Sequence, residues 1–463
     1  VRAELIVAGG AEEIGANCCY IDLDGTGIII DAGIHPRDRT EQVFPDLDAF
    51  ADRATDVLLV THAHMDHVGG VPYVMRRLPH LRPMMTFATR DLTHIMLPNG
   101  GKLLRSELHG VVPKEWLEYY DRAEIDRLRF AFEAVRYDDP LTFRGYRGRS
   151  DVTARFTWAG HILGSASVLL ECSGFSVLHT GDIHFEDQTV VPQARPPRHH
   201  VDVLITEATN GGVAHMPTLV DETARLARFI NTTTERNGSV LIPCFALGKM
   251  QEIVTLLYRL MQRGTIPHLP IHTGGMGTSI SKVYDQYCYD HPVLRPGFEI
   301  SDVPQERIHR HDLETGEYFK RPSIVVASSG MMNRGTISYD LALMWMTRPT
   351  YGIAFIGYQH PDTPGYALMS SPKNEPFDLA GRRARRTCEI ERFRFTSHAS
   401  RDGIVALVED TTPSTVVIVH GEPDACDGLA LAIRDRRPGT RIIIPRKGTA
   451  YDLQRPPHAV SDE

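Results

Sequence analysis

The chain has 463 residues, 42% hydrophobic and 23% charged, with 50 Lys+Arg against 58 Asp+Glu for a formal net charge of −8. That composition excludes a disordered tail or a low-complexity fibre. It weighs against a nucleic-acid coat, which binds through a broad basic surface, but not against an enzyme with one positive cleft, where bound metal ions supply much of the charge.

No stretch approaches the roughly 20 apolar residues of a membrane helix. The opening VRAELIVAGGAEEIG sets acids beside its apolar run, so no signal peptide is expected. Seven cysteines are scattered without a CxxC pair, and only Cys18 and Cys19 are adjacent, which sets the expectation of a reducing, cytoplasmic home.

The first sixty residues read as strand, turn, strand, turn. Leu5–Ala8 runs into Gly9-Gly10, Cys18–Leu23 is a second apolar run, and Asp24-Gly25 is a hairpin signal before Gly27–Ile30. The run DVLLV at Asp56–Val60 predicts a buried strand ending at Thr61. Between 90 and 137 the period changes: Leu92, Ile95 and Met96, then Trp116, Leu117, Tyr120, Leu128 and Ala131, take helical spacing, with Pro113 at a helix start. Strands return at Ser167–Cys172, Ser176–His179 and Val201–Thr206. Helix-like pieces (Glu222–Ile230, Met250–Arg263) then alternate with strand-like ones (Ser239–Ile242, Pro270–His272, Ser323–Ala327, Gly352–Phe355), the order of a largely parallel α/β sheet. Cys388–Phe395 alternates, and TVVIV at Thr415–Val419 is a last buried strand. The ends of the chain share one style and residues 208–385 another, which predicts a domain inserted between 1–207 and 386–463.

Directly after DVLLV the chain reads Thr61-His62-Ala63-His64-Met65-Asp66-His67-Val68-Gly69-Gly70. His62 and His64 can converge on one ion, while Asp66 and His67 on the following turn can reach a second. With 22 His in the chain, HxHxDH arises by composition alone only about 0.003 times. A solvated histidine-rich loop is the bland alternative. Further ligands are offered at strand ends: His161 on a Gly-flanked turn, and Asp182 in Thr180-Gly181-Asp182, where a carboxylate can bridge two cations. Alone, each would read as an ordinary turn residue.

The set Asp31, His62, His64, Asp66, His67, His161 and Asp182 resembles the metallo-β-lactamase fold, and more closely its β-CASP nuclease branch. GGAEEIGANC at Gly9–Cys18 and DAGIHP at Asp31–Pro36 look like the branch's opening segments. Glu207 in TEAT matches its acidic motif A, Phe395-Thr396-Ser397-His398-Ala399 its motif B, and Val419-His420-Gly421-Glu422 its motif C. PCFALGKMQE at Pro243–Glu252 and ASSGMMNR at Ala327–Arg334 match the inserted domain. Within the branch the chain looks most like the endonuclease subunits of the cleavage and polyadenylation specificity factor and their prokaryotic relatives. It departs from the family at Ala208-Thr209-Asn210-Gly211, where Ser-Thr-Tyr-Gly is usual, and after Gly357-Tyr358-Gln359, which continues His-Pro-Asp-Thr-Pro-Gly.

The resemblance implies an αββα sandwich with an inserted α/β β-CASP domain. It puts His62, His64 and His161 on one zinc and Asp66, His67 and His420 on another, with Asp182 bridging and Asp31 orienting a ligand; manganese suits the same donors. Asp66, Glu207 and His398 are the catalytic candidates, His398 as general acid held by Glu207. Ser328, Ser329 and Gly330 are candidate phosphate contacts. The basic run Arg382, Arg383, Arg385 and Arg386 is either a substrate surface or a solvated face. The implied activity is RNA hydrolysis, expected to be endonucleolytic, by water activated between two zinc ions, giving 5′-phosphate and 3′-hydroxyl ends. His420 favours RNA, since Artemis-type DNA-repair members usually carry an aliphatic residue at motif C. The alternatives are a 5′–3′ exoribonuclease, a DNA nuclease, a small-molecule metallo-hydrolase of the same fold, or a non-cutting RNA scaffold. No membrane partner is expected; a homodimer is a further option.

Overall fold

The computed structural model describes residues 1–289, 292–308, 311, 313 and 321–454, so residues 455–463 of the returning segment lie outside the described residues. The chain divides into two compact units. One comprises Val1–Glu186, Gln193–His215 and Ser397–Glu463; the other comprises Asp187–Pro192 and Met216–Thr396.

The first unit holds two seven-stranded sheets. In the first the order is Ala450–Asp452, Ala3–Gly9, Cys18–Leu23, Thr26–Ile30, Val57–Leu59, Pro83–Thr86 and Glu133–Val135. Its hairpin turns at Asp24-Gly25, where φ is 54° and 92° and Leu23 pairs with Thr26. Two consecutive positive φ values match the right-handed twist of the flanking strands, and Asp-Gly supplies them at low cost.

The second sheet runs Arg441–Ile443, Thr415–Val419, Val203–Glu207, Phe175–His179, Ala166–Cys172, Val152–Trp158 and Leu141–Phe143. The first four of these strands are parallel. Between the sheets, Leu5, Val7, Ile28 and Leu59 of one share a core with Phe156, Val177, Ile205 and Val417 of the other. The alternate residues point outward. Ile6, Ile29 and Leu58 pack under Val74, Leu97 and Leu104, and Leu178, Leu204 and Ile418 pack under Ile404, Leu407 and Ile433. The result is helix, sheet, sheet, helix. Because both faces of each sheet are covered, central strands such as TVVIV read as unbroken apolar runs rather than as alternation.

One helix exceeds its sequence signal. Phe87–Leu108 spans 22 residues and continues through Pro98 and the glycine pair that follows. The glycines are needed for close packing: a Cβ on Gly100 would lie 2.1 Å from Met65 Cε, and one on Gly101 2.9 Å from Tyr120 Cβ.

The second unit carries a six-stranded, all-parallel sheet ordered Gln305–Ile308, Ile271–Gly274, Ile324–Ala327, Val240–Pro243, Gly352–Phe355 and Glu389–Arg392. The alternation read over Cys388–Phe395 contracts to that last, half-buried strand. A hairpin, Pro376–Leu379 with Arg382–Arg385, presents Arg382, Arg383 and Arg385 to solvent. Arg386 turns inward, donating to the carbonyls of Ser371 and Cys388, so the basic run is split. Among the described residues no helix is long and apolar enough to cross a membrane.

Candidate metal centre

The parallel strands of the first unit deliver its polar residues from their carboxyl ends, where open α/β sheets form crevices. Thr26–Ile30 runs into Asp31, and Val57–Leu59 into the Thr61–His67 segment. In the other sheet, Phe175–His179 leads to Asp182, Val203–Glu207 ends on Glu207, and Thr415–Val419 leads to His420. Asp31 and His420 take left-handed φ values of 61° and 50°. Such strain in non-glycine residues persists where surrounding contacts over-determine it.

His62, His64 and His161 converge. His62 Nε2 lies 3.2 Å and His161 Nε2 3.0 Å from His64 Nδ1. The same two Nε2 atoms are 3.5 and 3.6 Å from Asp182 Oδ2. His161 Nδ1 is 2.8 Å from the Ser397 carbonyl, which can only accept, so Nδ1 carries the proton and Nε2 a bare lone pair.

His67 is fixed in the same way. Its Nδ1 donates to Asp31 Oδ2 at 2.8 Å, and its Nε2 faces Asp182 Oδ1 at 3.3 Å. Asp31 also accepts from the Thr61 N–H at 2.7 Å and the Thr61 hydroxyl at 2.8 Å. With that hydroxyl proton committed to Asp31, Thr61 Oγ1 accepts from His62 Nδ1 at 3.1 Å. One buried carboxylate therefore sets the tautomers of two imidazoles. His420 places Nε2 3.4 Å from Asp66 Oδ2 and Nδ1 3.4 Å from Asp182 Oδ1.

The electrostatics follow from this crowding. Burial, reinforced by neighbouring imidazoles, holds His62 and His161 well below the usual histidine range. Burial alone would raise Asp182, but His420, His67, His398 and His62 outweigh it and drive the carboxyl well below its ordinary value. Burial likewise opposes ionisation of Asp66, and His67 and His420 overcome it. His67 moves the other way: burial lowers it, but Asp182, Asp31 and Asp66 raise it well above 6.5.

Neutral His62 and His161 beside ionised Asp66 and Asp182 are a donor set for a divalent cation, which would take the place of the proton that the carboxylates otherwise hold on His67. Among the described residues, Asp182 Oδ1 is buried without a hydrogen-bond partner despite the two nearby ring nitrogens. Among the described residues, three groups of ligand atoms each lie within 4.8 Å of one another: His62, His64, His161 and Asp182; Asp66, His67 and His420; and Asp182, Glu207, His398 and His420. Asp182 belongs to two of them. The residues fit a bound metal ion.

Beside them, Glu207 Oε1 accepts the Ile183 N–H at 2.8 Å, and both its oxygens lie 3.0–3.1 Å from His398 Nδ1. Glu207 is 2% exposed and the His398 side chain 22%, so the pair runs from the interior to the surface. Ser328, Ser329 and Gly330 lie in the second unit, after Ile324–Ala327. Ser329 Oγ accepts the Asn333 N–H there, and the Gly330 carbonyl accepts from Gln359 Nε2.

Several contributors carry no sequence signal of their own. Asn17 Nδ2 lies 3.2 Å from His67 Nε2 and donates to the Asp66 carbonyl. Thr209 Oγ1 lies 3.1 Å from His420 Nδ1. Asn17 and Thr209 fall inside the GGAEEIGANC and TEAT segments, and that is their only hint.

The chain matches the metallo-beta-lactamase superfamily over residues 12–218, the Beta-Casp domain over 250–368, and the Zn-dependent metallo-hydrolase RNA specificity domain over 383–445. It is 26% identical over 456 residues to cleavage and polyadenylation specificity factor 73 of Drosophila melanogaster, covering 96% of this chain and 64% of that protein. To endoribonuclease ysh1 of Schizosaccharomyces pombe it is 28% identical over 459 residues, covering 96% and 58%. The chain thus spans 58–64% of the length of these relatives. A solved structure of a protein of unknown function from Enterococcus faecalis shares the fold, with a TM-score of 0.58 at 12% identity over 98% of this chain and 100% of that one.

Proposed function

The chain belongs to the metallo-β-lactamase superfamily, in its Beta-Casp branch, and from that premise we propose that it is a metal-dependent endoribonuclease. The observation that carries the reading is the convergence of seven ligand side chains beside the Glu207–His398 pair. His62, His64 and His161 would hold one cation, Asp66, His67 and His420 the other, and Asp182 both. Zinc is the proposed metal, with manganese as a substitute the same donors tolerate. When bound, such ions lower the pKa of water from 15.7 towards about 7 and neutralise charge on phosphoryl oxygens.

The chain's own residues do the rest. Asp31 and Thr61 hold two imidazoles in the tautomers that present Nε2. Glu207 keeps a proton on His398 Nδ1, so the ring can pass its Nε2 proton to the leaving oxygen. With water as nucleophile, products carry 5′-phosphate and 3′-hydroxyl ends. The exposed arginines of the 376–385 hairpin are proposed contacts for the RNA backbone, and Ser328, Ser329 and Gly330 for a phosphate. The proposed division is a β-CASP domain inserted into a metallo-β-lactamase domain; the sequence puts its bounds at 208–385, whereas the compact second unit runs Met216–Thr396 because the strand Glu389–Arg392 pairs in its sheet. A cytoplasmic setting is proposed from seven free cysteines.

The test is incubation with circular RNA, end-labelled linear RNA and matching DNA, with and without a chelator. Chelator-sensitive cutting of RNA circles with 5′-phosphate products is expected. Cyclic phosphate ends, or cutting that survives chelation, would contradict the mechanism; cutting of DNA alone would reassign the substrate.

A further inference from the structure

The side chain of His398 is held by Glu207, but an imidazole is only as well placed as the backbone that carries it. Residues 397–399 have no regular structure and precede the helix Arg401–Thr411. Their carbonyls are nonetheless all engaged by side chains. Ser397 O receives His161 Nδ1 at 2.8 Å, and His398 O receives His184 Nδ1 at 3.1 Å. Asn210 Nδ2 reaches two adjacent carbonyls, His398 O at 3.3 Å and Ala399 O at 3.2 Å. The Ala399 N–H in turn donates to the Ile183 carbonyl at 2.6 Å.

Asn210 belongs to the turn that follows Val203–Glu207. Along that turn Glu207 meets the His398 ring, Thr209 the His420 ring, and Asn210 the backbone under His398. A carboxamide nitrogen has two N–H donors and can bridge neighbouring carbonyls; a phenol has one. The asparagine at 210, where the family usually has tyrosine, is therefore suited to a clamp that tyrosine cannot reproduce.

We propose that Asn210 is a positioning residue that fixes His398 for proton delivery by clamping the His398 and Ala399 carbonyls. The inference rests on the ribonuclease reading. Displacement of a catalytic group by about 1 Å can cost on the order of 10²-fold in rate, so loss of the clamp should slow steps that need the acid and spare those that do not.

The variants are Asn210→Ala and the isosteric Asn210→Asp, whose oxygens would face the two carbonyls. Each is assayed on RNA and on bis(p-nitrophenyl) phosphate, whose leaving group departs without protonation. Expected is a fall in kcat on RNA of about tenfold or more, KM and metal content near wild type, and aryl-ester hydrolysis within about twofold. Equal losses on both substrates, or none on RNA, overturn the proposal. A second readout needs no activity: exchange of the Ala399 amide in the metal-free protein should quicken in both variants, and unchanged exchange refutes the clamp. Wild-type protein inactive on both substrates with zinc or manganese would defeat the ribonuclease reading, while amide exchange would still decide the clamp.

Discussion

Asp31→Asn removes a charge without changing the size of the side chain. The carboxylate accepts three hydrogen bonds, from the Thr61 N–H, the Thr61 hydroxyl and His67 Nδ1. A carboxamide has one oxygen and one NH2, so its nitrogen must face at least one of those donors. If it meets the Thr61 N–H, a buried donor is left without its acceptor at a cost of about 1–3 kcal/mol. If it meets His67 Nδ1, the ring must give up the Nδ1 proton and keep one on Nε2, which points at Asp182 where a cation would bind. The Thr61 hydroxyl is also freed to donate to His62, disturbing the other half of the site. Loss of an orienting partner lowers metal affinity about 10–100-fold, equivalent to about 1.4–2.7 kcal/mol. Competition with a chromophoric chelator measures this directly. The His67 side should weaken by that factor and the His62 side, reached through the Thr61 hydroxyl, by less. Both dissociation constants within about twofold of wild type would refute the tautomer argument.

His398→Ala should slow RNA cleavage by about 10²-fold or more with metal content unchanged by elemental analysis; a drop in bound metal would show that the ring is a ligand instead. Reversing Arg382, Arg383 and Arg385 to glutamate should weaken RNA binding and flatten its salt dependence, by about 0.7 in log–log slope for each phosphate no longer neutralised; an unchanged slope marks a solvated face. Desolvation lowers the Lys249 ammonium from 10.5 to about 8. Between those values the unfolded chain binds a proton that the folded chain has released, so the contribution of Lys249 to stability rises with pH across that window. Urea denaturation at pH 7.5 and 9.5 should show a more positive change of stability with pH in wild type than in Lys249→Met, since the buried cysteines contribute equally to both; equal slopes would contradict it.

The sandwich was legible because its strands are buried on both faces: DVLLV and TVVIV leave little other choice, and Asp24-Gly25 marks its own hairpin. The helix Phe87–Leu108 was only half legible, since Pro98 and the glycines after it look like breakers until Met65 and Tyr120 are seen packing on them. Short edge strands such as Glu133–Val135 and Leu141–Phe143 expose too much to show a pattern. In the candidate site, the histidine-dense run announces itself by composition. Asn17, Thr61, Thr209 and Asn210 do not, because each acts through a hydrogen bond to a segment remote in sequence or through a neighbour's tautomer, and single polar residues have no periodicity.

The most direct measurement is metal stoichiometry by elemental analysis after dialysis against zinc, for wild type and Asp182→Ala. Two ions per wild-type chain and at most one in the variant are predicted. A wild-type protein holding less than one ion, or a variant that still holds two, would contradict a pocket in which one carboxylate serves both cations.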